Sequence, residues 1–166
     1  MYINNHLTWD DHVHETCKRA SKRLRILRVL KPLVTPSELH AVYVSTVRGI
    51  LEYSCVVFVG LNVGLSKSLQ RIDKRAHRII HSSCGCDEDC LSQRRKNLSI
   101  KMLAKCYSST NHILREYLPP ILPHNKRLRS IYCRTERRQR SFFPFTTELY
   151  NKYTQHTFQH SLPKSS

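Results

Sequence analysis

Apolar residues recur at helical spacing along the first half of the chain. From about His12 to Leu30 they stand three or four positions apart, at Val13, Cys17, Ala20, Leu24 and Leu27. In the stretch "SLQRIDKRAHRIIH", residues 68–81, one side of a helix collects Leu69, Ile72, Ala76, Ile79 and Ile80. Spacings of i, i+3 and i+4 are typical of amphipathic helices. The pattern therefore predicts a bundle of about four helices up to residue 83.

The segment between these two helices combines a clear start signal with an ambiguous apolar run. Thr35, Pro36 and Glu38 stand where an N-cap, a first helical residue and a capping-box partner are expected. The helix that follows is predicted to bury Leu39, Val42, Tyr43, Val47 and Ile50. The run "ILEYSCVVFVGL" fits a buried strand or a buried helix. Its helical neighbours favour a helix broken near Gly49, with Ser66 capping the next one.

Beyond residue 83 the apolar pattern weakens. "CGCDEDC" opens a predicted polar linker over residues 84–97, followed by a helix over residues 98–118. Residues 119–166 begin with "PPILP" and continue with many arginines, which predicts a partly extended tail. "SFFPFTTELYNKY", residues 141–153, is aromatic enough to dock as a short helix. The predicted fold class is mostly α-helical, a small bundle with a basic tail.

Positive charge is concentrated in three segments. The 166 residues include 28 Lys and Arg against 12 Asp and Glu, a net charge of +16. Residues 12–31, 66–81 and 126–140 carry net charges of +6, +4 and +6, so the remainder of the chain is neutral. Charge spread evenly would favour solubility alone, whereas three basic segments favour contact with a polyanion, RNA or DNA, through phosphates.

Two helices supply the candidate nucleic-acid-binding residues, because their basic side chains lie mostly opposite the apolar side. The candidates are Lys18, Arg19, Lys22, Arg23, Arg25, Lys67, Arg71, Lys74, Arg75 and Arg78. In the second helix only Asp73 interrupts the charge, toward the apolar boundary. The alternative is that these long side chains merely keep the helices solvated.

No constellation of residues predicts catalysis. Asp10 and Asp11 lead straight into a helix, where acids suit the positive N-terminal end better than they suit a catalytic magnesium. His81, Cys84, Cys86 and Cys90 offer a zinc set, but C-x-C and C-x3-C depart from the usual C-x2-C pairs. A cysteine-rich surface loop is the simpler interpretation. We expect no enzyme activity, no cofactor and no metal.

Cysteine number and hydropathy bear on compartment. Seven cysteines are an odd number, and Cys17, Cys55 and Cys106 lie inside helical patterns, so reduced thiols are favoured over disulfides. No apolar run reaches the 18 residues that a membrane span needs, and the first residues lack a signal-peptide pattern. We expect an intracellular protein, nuclear or cytoplasmic, without a membrane partner.

The helical segments together resemble a known polymerase family. "LTWDDHVHETCKRASKRLRILRVLKP", "LHAVYVSTVRGILEYSCVVF" and "LSKSLQRIDKRAHRII" are similar, in order and spacing, to the thumb and connection region of non-LTR retrotransposon reverse transcriptases of the jockey and related types. "EYLPP" and "RSFFPFTTELYN" continue the likeness, with Tyr150 where tryptophan is usual. The resemblance covers about residues 7 to 153.

This resemblance implies a non-catalytic remnant that grips a template–primer duplex. The family's palm motif and endonuclease would precede residue 1, so polymerisation is not implied, and the missing palm and fingers or other retroelement proteins become expected partners. The resemblance implies that the residues contacting the duplex are Lys67, Arg71, Lys74, Arg75 and Arg78. "CGCDEDC" departs from the family's usual segment at this place.

A second resemblance concerns the N-terminal third. The stretch from Trp9 to Lys31 is similar to the short helical domain that begins the AlkB-type tRNA hydroxylase and methyltransferase. It implies neither chemistry, because this chain has no iron-binding H-x-D motif and no room for an oxygenase barrel. The rival function is accordingly a structural helical module that binds other proteins through its apolar faces.

Overall fold

The computed structural model describes residues 8–81, 91–109, 111–122 and 127–159, and these are mostly α-helical, which confirms the predicted fold class. The chain forms two compact units. Unit 1 comprises Met1–Cys55 and Leu61–Arg95, and unit 2 comprises Val56–Gly60 and Lys96–Ser166. No helix within the described ranges is long and apolar enough to cross a membrane.

Unit 1 is a bundle built around one long helix. Helix α1 (Asp10–Leu30) packs against α4 (Val63–Ile80), and between them in sequence come α2 (Pro36–Tyr43), a π-helical turn (Val44–Arg48) and α3 (Gly49–Glu52). The core of the unit contains Val13, Ala20, Leu24, Leu27, Leu39, Tyr43, Val47, Leu51, Leu69, Ile72, Ala76 and Ile80. The predicted apolar sides of α1 and α4 are thus largely confirmed, with Cys17 and Ile79 only half-buried.

One of the two predicted helix starts is confirmed. The Thr35 N–H donates to Glu38 Oε2 at 2.8 Å, and the Glu38 N–H donates to Thr35 Oγ1 at 3.4 Å, a complete capping box ahead of Pro36. The cap predicted at Ser66 is wrong. Asn62 caps α4, since its Oδ1 accepts from the Leu65 N–H at 2.8 Å.

The interpretation of "ILEYSCVVFVGL" as a helix broken near Gly49 is also wrong. Gly49 begins α3 with helical dihedrals, φ −56° and ψ −34°. Before it, Ser45 and Thr46 donate their hydroxyls to the Val42 carbonyl at 3.0 and 2.6 Å, competition that accompanies a π-helical turn. Helical structure ends at Glu52, and residues 53–60 form turns, with Ser54 at φ +55°.

Helix α5 (Leu91–Ser108) corrects the predicted linker and helix boundaries. It begins inside the linker predicted over residues 84–97 and ends well before residue 118, where a 3-10 turn (Ile113–Tyr117) follows. Leu91, Arg95, Ser99 and Leu103 are buried at four-residue spacing. This stripe includes an arginine and a serine, so the spacing of apolar residues alone does not predict it.

Unit 2 contains most of α5 and the chain beyond it. Its tail is partly extended, with an antiparallel bridge between Ile121 and Leu128. The short helix α6 (Glu136–Gln139) and the long helix α7 (Phe142–Gln159) complete the unit. The Asn151 side chain bonds both the N–H and the carbonyl of Leu128 at 2.9 Å, which fixes the extended segment against α7. The aromatic segment predicted over residues 141–153 is therefore part of a longer helix.

Candidate nucleic-acid interface

The outward face of α4 is a continuous basic surface. Asn62 caps the helix, and its apolar side holds it against α1, so the opposite side faces solvent. All five predicted residues on it, Lys67, Arg71, Lys74, Arg75 and Arg78, are exposed. At 1.5 Å rise per residue, Lys67 and Arg78 stand about 16 Å apart along the axis. A row of this length can contact several successive phosphates.

The one acid of α4 is removed from this surface. Asp73 is only 6% exposed, and its Oδ1 accepts a hydrogen bond from the Tyr43 hydroxyl of α2. Burial and the neighbouring Asp73 carboxylate raise the pKa of Tyr43, because both disfavour a phenolate. The sequence placed Asp73 at the boundary of the basic face. In the structure its charge points inward, and the outward face carries cations alone.

A groove between α1 and α4 extends the basic face. It has a volume of about 390 Å³ and is lined by Cys17 of α1 and by Ser68, Arg71, Ile72, Lys74, Arg75 and Arg78 of α4. Four cations therefore surround a floor that is partly apolar. Such a concave basic surface suits a ribose–phosphate backbone, because the sugar is less polar than the phosphate.

The five predicted residues of α1 are exposed but do not join this groove. Arg19, Lys22 and Arg23 line a separate depression of about 270 Å³ together with Ile26 and Ile50. Lys18 and Arg25 are exposed outside both depressions, and Lys18 Nζ lies 3.9 Å from Glu15 Oε2. The predicted residues thus contribute to two separate basic surfaces in unit 1, and the α4 surface is the more continuous of the two.

The third basic segment belongs to unit 2. Arg129, Arg134, Arg137 and Arg138 are exposed, while Arg140 forms an ion pair with Glu136 one helical turn away. Residues 123–126 lie outside the described ranges. The segment is basic and accessible, but it is divided between extended chain and a four-residue helix.

The structure describes some of the residues that were considered for metal binding and catalysis. Asp10 and Asp11 lie in the first turn of α1, as expected of helix-terminal acids. Cys84, Cys86 and Cys90 lie outside the described residues. Within the described part, Cys17, Cys55, Cys106 and Cys133 take part in no disulfide. Burial raises the pKa of Cys17 and of Cys106, so neither is a ready nucleophile.

Sequence reasoning missed three contributors to this surface. Cys17 and Ser68 line the groove, and Tyr43 binds the single acid. A small residue on a helix flank gives no charge signal, and the Tyr43–Asp73 bond joins residues 30 positions apart. One feature of the sequence could have indicated that Asp73 is buried. Asp73 lies four residues from Leu69 and four from His77, which places it toward the buried side of α4.

Comparison of the chain with models of protein families, with curated proteins and with solved structures finds no match.

Proposed function

We propose that this chain binds the phosphate backbone of a nucleic-acid duplex through α4 and the groove beside it, without catalysing a reaction itself. In this proposal it is the thumb-like remnant of a non-LTR retrotransposon reverse transcriptase, as the sequence resemblance implies. The ligand is a double-stranded RNA–DNA hybrid or DNA, and the contacts are to phosphates.

One observation carries the proposal. The outward face of α4 has five exposed cations, while the only acid of the helix is buried and bonded to Tyr43. A helix that needed charge only for solubility would gain from mixed signs, because like charges at i, i+4 repel each other. Because the Asp73 carboxylate is buried, the exposed face of α4 lacks this favourable pairing of opposite charges. The repulsion is relieved when a polyanion lies on the face.

Phosphate contact sets affinity and orientation without reading sequence. If all five cations of α4 contact phosphates, the plot of log K against log salt concentration has a slope of about −4.5, at about −0.9 per phosphate. The affinity for unrelated duplexes of the same length should agree closely.

The experiment is a titration of the full chain with fluorescent 20-base-pair DNA, an RNA–DNA hybrid and single-stranded RNA, each over a series of salt concentrations. A steep slope with similar affinity for two unrelated sequences supports the proposal, and the difference between the three ligands shows which backbone is preferred. A slope near zero, or no binding at low salt, contradicts it.

The rival function, a structural module that binds proteins, has one observation in its favour. Val29 and Leu33, near the end of α1, are 60% and 73% exposed. Association through such apolar side chains responds little to salt, because it releases no counterions. The same titration therefore separates the two functions.

A further inference from the structure

Three histidines meet at the end of α4, and only one of them, His81, belongs to the zinc set considered from the sequence. His40 belongs to α2, His77 to the last turn of α4, and His81 directly follows α4 as its C-cap. One ring nitrogen from each lies within 4.8 Å of the other two. His77 and His81 are four residues apart, and the extended backbone of His81 directly after the helix leaves its side chain near that of His77.

We propose that His40, His77 and His81 bind one transition-metal ion of the Zn²⁺ class. Three neutral imidazoles are a ligand set for Zn²⁺, Co²⁺, Ni²⁺ or Cu²⁺ and a poor one for Mg²⁺ or Ca²⁺, which prefer oxygen. The sequence grouped His81 with Cys84, Cys86 and Cys90. The structure groups it with two other histidines.

The geometry requires only a small adjustment. Zn–N bonds of about 2.0–2.1 Å place tetrahedral ligand nitrogens roughly 3.3 Å apart, so the rings must approach by about 1.5 Å at most. His81 is exposed and can supply most of this movement, while the half-buried rings of His40 and His77 pack against Tyr43. The partial exposure leaves the fourth coordination position to solvent, the arrangement found in open zinc sites.

A buried carboxylate beside the cluster strengthens the assignment. Asp73 Oδ1 lies 3.8 Å from His77 Nε2, and the Tyr43 ring packs against His77 with a centroid distance of 5.0 Å. A carboxylate this close to a metal-binding histidine offsets part of the charge of the ion. The Tyr43 hydroxyl in turn holds Asp73 in place.

Metal binding would join α2 to α4 inside unit 1. An ion that binds the folded chain and not the unfolded chain stabilises the fold in proportion to its occupancy. At about a hundredfold excess over Kd, the midpoint of thermal unfolding should rise by roughly 5–10 °C. This inference is independent of duplex binding, since none of the three histidines lines the groove between α1 and α4.

The test is a titration of the full chain with Co²⁺, followed by visible absorption and calorimetry, with Zn²⁺ competing. We expect one ion per chain and no thiolate-to-cobalt charge-transfer band. His40→Gln and His81→Gln should each lower the affinity by at least about 100-fold, because even outer-shell partners of a metal cost about 10–100-fold. His14→Gln, an exposed histidine of α1, is the matched control and should bind like the parent.

A second set of variants keeps the inference falsifiable if one histidine variant folds poorly. Cys84→Ser, Cys86→Ser and Cys90→Ser combined should leave the affinity unchanged. Loss of binding in this cysteine variant, a strong thiolate band, or parent-like affinity in His81→Gln with an intact far-UV circular dichroism spectrum would each overturn the proposal.

Discussion

Asp73 shows how one buried side chain changes the charge of an exposed helix face. From sequence it is a single acid among five cations, toward the apolar boundary of α4. Its helical position was predictable from its spacing to Leu69 and Ala76. Its hydrogen bond was not, because the donor, Tyr43, comes from another helix that only the tertiary fold brings near.

Replacing Tyr43 tests this bond. Tyr43→Phe removes the hydroxyl donor and leaves the Asp73 carboxylate buried, which should lower the free energy of unfolding by about 1–3 kcal/mol. Tyr53→Phe is the control, because Tyr53 is 65% exposed and its loss should matter by less than about 0.5 kcal/mol. Urea unfolding measures both. Equal stability of Tyr43→Phe and the parent would contradict the assigned bond.

Two glycines offer a matched pair with opposite expected effects. A Cβ on Gly60 would stand 2.1 Å from the carbonyl oxygen of Arg140, whereas a Cβ on Gly49 has no neighbouring atom within 4 Å. Gly60→Ala should therefore destabilise the protein by about 1–3 kcal/mol through backbone displacement. Gly49→Ala should stabilise it by about 0.5–1 kcal/mol, since alanine is the better helix former. Thermal unfolding measures both, and a stabilising Gly60→Ala would contradict the close approach.

At the scale of elements, apolar spacing predicted the long helices better than their ends. The apolar side of α1 and the capping box of α2 could be predicted from the sequence, because both depend on residues within one or two helical turns of each other. The start of α5 was not evident. "SQRRKN" reads as polar linker, yet Arg95 is buried and Arg94 Nε lies 2.6 Å from Glu52 Oε1. Burial of an arginine depends on tertiary partners that periodicity cannot show.

Glu52 is expected to anchor the first turn of α5. Its carboxylate accepts from Arg94 and also lies 3.3 Å from Arg48 Nε, with 16% of its side chain exposed. Glu52→Gln should cost about 1–2 kcal/mol and speed amide exchange near Leu91, because two partly buried guanidinium groups lose their counter-charge. Glu148→Gln breaks the exposed pair with Lys152 and should cost less than about 0.5 kcal/mol. Similar losses in the two variants would refute the anchoring role.

For the whole molecule, the sequence predicts which segments are basic, but it does not predict which of them lie together in the folded chain. The first two basic segments belong to unit 1 and the third to unit 2. Within unit 1, basic residues of α1 and basic residues of α4 line two separate depressions, which depends on how the two helices pack and not on their sequences alone. The histidine cluster was also beyond sequence, since His40 is remote from His77 and His81 along the chain.

The whole chain is expected to lack polymerase activity. Catalytic metal ions in nucleotidyl transfer need carboxylates held on rigid backbone, and Asp10 and Asp11 occupy the exposed first turn of α1. Purified protein with primer, template, Mg²⁺ and all four nucleotides should yield no extended primer, while an intact reverse transcriptase under the same conditions does. Extension by this chain would contradict the proposal that it is a non-catalytic remnant.

Phosphate binding by the basic face of α4 is tested most directly by comparing duplex binding of the parent with that of a variant carrying Arg71→Gln, Lys74→Gln and Arg78→Gln. These residues lie on one stripe of α4, and glutamine preserves helicity. We expect the triple variant to show a salt slope flatter by about 2–3 units and, at 0.15 M salt, a loss of affinity on the order of 100-fold. Two double variants of exposed residues control for net charge, one in α4 (Lys74→Gln with Arg78→Gln) and one in α5 (Lys101→Gln with Lys105→Gln). Each removes two positive charges, and the α5 double variant should leave the salt slope nearly unchanged. If the triple variant binds as tightly as the parent with the same slope, the basic face of α4 is only solvated surface.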